Sequence, residues 1–285
     1  MVSSDCVDVV GLIGDSIARF PVGDGTQRLS PRHSAMTRDG SRAYVSYIDG
    51  SQIGVIDVVA TQAHDLVPDN PLDRTSQGVQ TISLDRPGTP QADASQPAYL
   101  TIDPTGRFLF VSDYSKPIVH VVDIDPLSPS FHQVLGRLRV NEALAPPGQI
   151  LAPIGLRGLA VTADGRSLVV AAPNRTLFSR VAPRTAPESK LIVFNVDPES
   201  IRNLRLSDGS IPGLEFHWRQ IGYASTKETG VPSIGGQEAI DVKATEDPNV
   251  LLFTNRASNS VGFGTLRLNR RFGTISPVVE YAVSD

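Results

Sequence analysis

Short apolar runs separated by tight polar turns recur along this chain with enough regularity to read as one unit repeated. The segments RHSAMTRDGSRAYVSYIDGSQIGVIDV (32–58), PAYLTIDPTGRFLFVSDYSKPIVHVVDI (97–124), RGLAVTADGRSLVVAAPNRT (157–176) with SKLIVFNVD (189–197), and EAIDVKATEDPNVLLFTNRASNSVGFGTLRL (238–268) share it. Each opens on an apolar strand, passes a tight turn at Asp39-Gly40, Pro104-Thr105-Gly106, Asp164-Gly165 or Asp247-Pro248, and runs into a second apolar strand at a constant offset. Glycine suits such a turn because the backbone there takes a positive φ that a Cβ penalises.

A third strand with period-two alternation follows in each unit, around Ile53-Val55, Val119-Val121, Leu191-Val193 and Val261-Phe263. A fourth, more polar strand is expected at 79–84, 134–140, 217–223 and 275–283. Four antiparallel strands per repeated unit make the blade of a β-propeller, with innermost strands expected to be almost purely apolar and outermost ones polar. The fold expected is therefore all-β, a β-propeller of four-stranded antiparallel blades, as one domain type over 1–285. Its blades fall at about 32–84, 97–140, 156–223 and 237–283, after a half blade at 6–22 formed by CVDVVGLI and SIARFPV.

The tetrads Tyr44-Val45-Ser46-Tyr47, Phe110-Val111-Ser112-Asp113, Val169-Val170-Ala171-Ala172 and Leu252-Phe253-Thr254-Asn255 each follow the turn and precede a V-x-V-I-D-like strand. This pattern resembles the YVTN-type β-propeller repeat, which is similar to the blades of seven-bladed lactonase-like propellers, and it covers about residues 17 to 283. No unit keeps the whole YVTN tetrapeptide, and Pro248 stands where the family has its turn glycine. The turn anchors lie about 60–80 residues apart, where a compact blade takes about 40–50. The excess sits in Pro-, Gly- and Ser-rich inserts at 62–78, 85–96, 141–155, 173–188 and 224–236. The spacing leaves room for four to five blades and points to an incomplete or open arc: a segment of a longer polypeptide, a truncated product, or an arc that dimerises, with further blades from the same or another chain. The alternative is a degenerate fifth blade hidden in an insert.

Composition fits such a chain, with 24 glycines, 22 prolines and only 20% charged residues. A net charge of −4 argues against a nucleic-acid partner bound by phosphate neutralisation. One cysteine, Cys6, excludes an internal disulfide framework and leaves the compartment open. The first residues lack a basic region and Asp8 breaks their apolar run, so they read as neither signal peptide nor anchor, and no stretch is apolar enough to span a bilayer. His33, His64, His120, His132 and His217 show no metal-ligand spacing, and neither P-loop, G-x-G-x-x-G nor G-x-S-x-G is present. No metal and no cofactor is expected.

Candidate chemistry comes from position in the blade. Residues at the start of each innermost strand face the channel mouth, and reading the units in register selects Arg32 and His33, Gln96 and Ala98, Arg157, and Gln237 with Glu238. Arg32, Gln96, Arg157, Gln237 and Glu238 form a candidate set for an anionic or sugar-like ligand, the arginines as bidentate donors. Glu238 or His33 is a candidate for moving a proton, with Arg157 stabilising an oxyanion. The plainer reading of each is a solvated rim charge or an Arg/Glu pair satisfying backbone groups. His120 reads as a structural histidine, Asp57, Asp123 and Asp197 as turn residues, and Trp218 as a half-buried anchor or an interface residue. The way YVTN-type repeats are deployed implies a non-catalytic module of a larger exported or cell-surface bacterial protein, extracellular or periplasmic, binding protein or glycan through rim loops or the channel mouth. The alternative the resemblance implies is a lactonase-like hydrolase with its site at the channel mouth.

Overall fold

The computed structural model describes residues 6–10, 16–21, 30–47, 49–57, 80–140, 155–173, 190–225, 239–256, 260–266, 268–269, 274–275 and 278–282. A hairpin of β1 (Cys6–Val10) and β2 (Ser16–Pro21) forms a two-stranded sheet. The next sheet joins β3 (Pro31–Met36), β4 (Arg42–Tyr47), β5 (Gln52–Asp57) and β6 (Gln80–Ser83), in that order. The second joins β7 (Pro97–Ile102), β8 (Phe108–Asp113), β9 (Ile118–Asp123) and β10 (Val134–Arg139). The third joins β11 (Leu159–Val161), β12 (Ser167–Ala172), β13 (Lys190–Asn195) and β14 (Gln220–Ser225). In the fourth, β15 (Ala239–Ala244), β16 (Val250–Asn255) and β17 (Ser260–Thr265) are followed by a small hairpin, β18 (Leu268–Asn269) with β19 (Thr274–Ile275), before β20 (Val278–Ala282) closes the sheet. Every pairing is antiparallel, and the four sheets are arranged as a four-bladed β-propeller.

The turns after β3, β7 and β11 obey one rule. Gly40, Gly106 and Gly165 take φ of 70°, 73° and 72°, and a hydroxyl or carboxylate just before each turn ties the backbone across it. Asp103 is the fullest case: its Oδ1 accepts from the backbone N–H of Arg107 at 2.8 Å and of Phe108 at 2.7 Å. The fourth turn has Pro248 in place of the glycine and yet closes with the same side-chain bonds as the first and third, Asp247 Oδ1 accepting Asn249 N–H at 2.8 Å and the Thr245 hydroxyl donating to the Val250 carbonyl at 3.0 Å.

The core lies between blades. One apolar cluster joins the first and second sheets through Tyr44, Ile53, Leu100 and Leu109; a second joins the second and third through Phe108, Phe110, Val170 and Phe194; a third joins the third and fourth through Val169, Val193, Leu251 and Phe253. The expected inside-to-outside gradient is corrected here. The strands buried along their whole length are β8, β9 and β12, in the middle of their sheets, and the short innermost strand β11, while β3 is buried nowhere along its length. Middle strands are covered on both faces by neighbouring blades, whereas an innermost strand keeps one edge toward the axis.

One strand start and one residue differ from expectation at the end remote from the mouth. The strand expected at 217–223 begins only at Gln220, because Leu214–His217 form one helical turn. Trp218, capping that turn, is fully buried rather than half-buried: its indole N–H donates to the Asp197 carbonyl at 3.0 Å and its ring meets Phe108 edge-on at 5.0 Å. It is a core residue of the second interface. Asp197 and Asp123 do serve turns, Asp197 capping the short helix Pro198–Ile201. Asp123 goes further. Its buried carboxylate accepts from the Ser128 hydroxyl at 2.6 Å and meets Arg205 of the third blade unit at 3.2 Å, which fastens the two units together. Asp57 has only its backbone described, in β5. No helix among the described residues is long and apolar enough to cross a membrane.

Candidate functional site

The starts of β3, β7 and β15 each carry an irregularity in register, between Pro31 and His33, between Pro97 and Leu100, and between Ala239 and Asp241. A bulge adds a residue to one strand and re-aims the side chains beside it. After it, His33 pairs with Ser46 and Asp241 with Thr254, the third positions of their tetrads, while the Tyr99 N–H takes the Ser112 hydroxyl as its acceptor at 3.1 Å. The strands also meet across blades: β3 packs on β7, β7 on β11, and β11 on β15, where the Gly158 N–H donates to the Ile240 carbonyl at 2.7 Å. His33, Tyr99, Arg157 and Asp241 are thereby gathered at one end of the axis.

His33 is half-buried and its ring lies 5.0 Å from that of Tyr99. Its Nδ1 accepts the backbone N–H of Leu100 at 3.2 Å. Burial pulls its pKa below the ordinary histidine value, and the Lys243 and Arg32 cations pull the same way against the opposing Asp241 carboxylate. Tyr99 responds to the same groups: burial pushes its hydroxyl up, with Asp241 adding to this and Arg32, Arg157 and Arg256 opposing it.

Asp241 accepts the Val242 N–H on Oδ1 at 2.9 Å and holds Lys243 Nζ 3.3 Å from Oδ2. It fits there because residue 158 is glycine. A Cβ on Gly158 would stand against the Asp241 carboxylate, 2.5 Å from its Cα and 2.8 Å from the Ile240 carbonyl oxygen.

The arginines are organised by Tyr114. The Arg32 guanidinium lies 4.2 Å and that of Arg157 3.7 Å from the Tyr114 ring centre, distances at which a cation is drawn to the ring face. Arg157 is buried, and its Nη1 donates to the carbonyls of Leu156 at 2.9 Å and Tyr114 at 3.2 Å. Tyr114 is in turn fixed by Asp113, a wholly buried carboxylate that accepts from Gln96 N–H at 3.2 Å, Ser115 N–H at 2.9 Å and Lys116 N–H at 3.0 Å. Burial alone would push the Asp113 carboxyl up, but the His120 ring beside it and its hydrogen bonds with Ser115 hold it below the ordinary carboxylate value. His120, fully buried with Nε2 3.5 Å from Asp113, backs this arrangement from inside the blade, as a structural histidine would.

The residues expected at the mouth therefore divide. Arg32, His33 and Arg157 are brought together, and Arg157 also serves backbone carbonyls as the plainer reading expected. Gln96 is exposed and contributes through its backbone, its carbonyl accepting the Tyr114 N–H at 2.7 Å. Gln237 and Glu238 lie outside the described residues. Tyr99, Tyr114 and Asp241 were missed. Strict alternation puts the first functional position at the strand start, and the bulges move it inward by a residue or two. The one sequence sign was the pair of charges, Asp241 and Lys243, inside the strand AIDVKA.

Two cavities, of about 520 and 460 Å³, lie elsewhere, between the outer strands of the first and second sheets, and share Asp85, Arg86, Arg137 and Arg139. Among the described residues no group of three His, Cys, Asp or Glu side chains is placed to hold a metal ion.

Antiparallel blades around an axis, with a polar and aromatic cluster at one end, make this chain a β-propeller in fold. No family model matches it, and no curated protein sequence does. Among solved structures it is similar to a 6-phosphogluconolactonase candidate from Bacteroides uniformis, with 15% identity and a TM-score of 0.60, over 98% of this chain and 65% of that one. A second such candidate, from Bacteroides fragilis, gives 12% and 0.58 over the same shares. The periplasmic gluconolactonase of Pseudomonas aeruginosa gives 17% and 0.56, over 98% of this chain and 65% of that one. The chain thus spans a little under two thirds of the length of these structures, and what it shares with them is the fold.

Proposed function

We propose that the chain carries a lactonase-like hydrolytic site at the channel mouth, acting on the cyclic ester of a sugar acid. The observation that carries this reading is the convergence of His33, Tyr99 and Asp241 from three different blades, beside the arginines ordered by Tyr114. A carboxylate, an imidazole and guanidinium groups are the equipment for adding water to an ester carbonyl: a proton acceptor for the water and donors for the oxyanion. The neighbours' names, 6-phosphogluconolactonase and gluconolactonase, indicate which lactones to try first. No feature of the described residues favours a non-catalytic rim-binding module, and of the inserts expected to form its rim all but 85–96 lie largely outside those residues. A YVTN-type origin belongs to the same proposal, supported by the repeated register, and an exported bacterial setting is supported by the likeness to a periplasmic gluconolactonase.

The test is hydrolysis of D-glucono-1,5-lactone, its 6-phosphate and an aliphatic lactone by the purified chain, followed in a pH-stat at pH 7 against the uncatalysed rate. Turnover above background is expected for at least one of them. Rates indistinguishable from background for all three would end the hydrolase reading.

A further inference from the structure

What His33 can do is decided by its second nitrogen. A neutral imidazole carries one proton, and the nitrogen that accepts a hydrogen bond cannot also hold it. Nδ1 of His33 accepts the Leu100 N–H at 3.2 Å, a backbone donor set by the β7 strand and unable to turn away. The proton therefore sits on Nε2. The groups facing the ring are Arg32 on its own strand, Tyr99 on β7, and Lys243 and Asp241 on β15. An imidazolium there would add a further positive charge beside Arg32 and Lys243 in a half-buried site, in keeping with a pKa lowered by burial and by those cations. Asp241 is the described carboxylate that acts on both His33 and Tyr99, and among the described residues each of its oxygens is left a lone pair beyond the Val242 and Lys243 contacts.

We propose that His33 donates its Nε2–H to the carbonyl oxygen of the lactone and that Asp241, in place of His33 or Glu238, accepts the proton of the attacking water. This rests on the hydrolase reading above. Water's lone pair forms the new C–O bond, its proton passes to an Asp241 oxygen, and the carbonyl π pair moves onto the oxygen held by His33. Return of that pair breaks the ring C–O bond. The ring oxygen leaves with its electrons and takes the proton back from Asp241, so lactone and water become a hydroxy acid and both side chains return to their starting state.

Two measurements on the full chain test this. In ¹⁵N spectra of histidine-labelled protein at pH 7, with the His33 signals assigned by their loss in His33→Gln, Nε2 is protonated and Nδ1 is not. A proton on Nδ1, or on both nitrogens, overturns the role of His33 whatever the activity. In D-glucono-1,5-lactone hydrolysis, Asp241→Asn lowers kcat by about 10²-fold or more with little change in KM. His33→Gln keeps an N–H donor and retains about ten times the kcat of His33→Leu. An unimpaired Asp241→Asn, or His33→Gln as poor as His33→Leu, overturns the assignment. Thermal melts report folding, and Asp241→Glu, which keeps the charge but moves it by a methylene, replaces Asp241→Asn if the latter does not fold and is expected to lose kcat as well. If wild type hydrolyses none of the lactones, the hydrolase reading and the role of Asp241 fall together, while the spectra still decide the protonation of His33.

Discussion

Gly158→Ala puts the closeness of the third and fourth blades at the mouth to a test. The added Cβ would lie 2.5 Å from the Asp241 Cα and 2.8 Å from the Ile240 carbonyl oxygen, where van der Waals contact needs about 3.4 Å or more. Both obstacles are backbone, so no side-chain rotation relieves them and β15 must retreat from β11 by most of an ångström. Overpacking of this kind costs about 1–3 kcal/mol. The retreat also weakens the 2.7 Å hydrogen bond from Gly158 to Ile240, adding about 1 kcal/mol. The total, about 2–4 kcal/mol, corresponds to a fall in melting temperature of about 3–7 °C for a domain of this size. Because Asp241 moves with β15, lactone turnover should fall by about 10²-fold, the effect of misplacing a reacting group by an ångström. The comparison is Gly136→Ala, whose Cβ would meet first the end of the Leu214 side chain, at 3.0 Å, and which should cost under about 1 kcal/mol. Thermal unfolding by far-ultraviolet circular dichroism and pH-stat kinetics on both variants decide it. A Gly158→Ala protein that melts with wild type and keeps its turnover would refute the placing of Asp241 against residue 158.

Two further outcomes follow from the packing and the charges. Trp218→Ala should destabilise by about 3–5 kcal/mol, because the fully buried indole fills the interface between the second and third blades against Phe108 and Phe110; urea unfolding read by circular dichroism measures it, since Trp218 is the one tryptophan of the chain, and a loss under about 1 kcal/mol would contradict that packing. His132, stacked on Phe131 and within 3.2 Å of the Tyr44 hydroxyl, has its pKa lowered from 6.5 to about 4 by burial first and by the Arg42 cation next, against the Asp123 carboxylate. A depressed folded-state pKa means that the unfolded chain takes up the proton first. His132 therefore contributes stability that is fully present above pH 6.5 and is lost as pH falls toward 4. Urea midpoints at pH 7 and pH 4.5 should differ less in His132→Gln than in wild type, and an identical pH dependence would count against the buried, neutral ring.

Much of the fold was legible because its signals are local. A turn that needs positive φ selects Gly40, Gly106 and Gly165 wherever it occurs, and a strand buried on both faces must read as FLFVSD or SLVVAA whatever lies beyond it. Trp218 and the helical turn before it were not legible. Residues 217–223 carry a plausible strand pattern, and only the fit of an indole between two blades, with the Asp197 carbonyl as acceptor, explains why the strand begins at Gln220. Of the mouth, His33, Arg32 and Arg157 could be found by aligning strand starts. Asp241 and Tyr99 could not, since the register slips that select them depend on how each innermost strand meets its neighbours, and Tyr114 could not because it lies past the end of β8, tied to the Gln96 carbonyl.

The chain by itself determined that it would be all-β, built from repeated four-stranded units, and which glycines and carboxylates would shape most of the turns. Those are consequences of backbone sterics and of period-two burial, which act over a few residues. Tertiary structure alone decided which polar side chains share a site. His33 and Asp241 are more than 200 positions apart, and their meeting rests on bulges, on the missing Cβ of Gly158 and on the stacking of four blades. It also decided which nitrogen of His33 carries the proton, because the donor that settles it is the backbone N–H of Leu100 in the next blade.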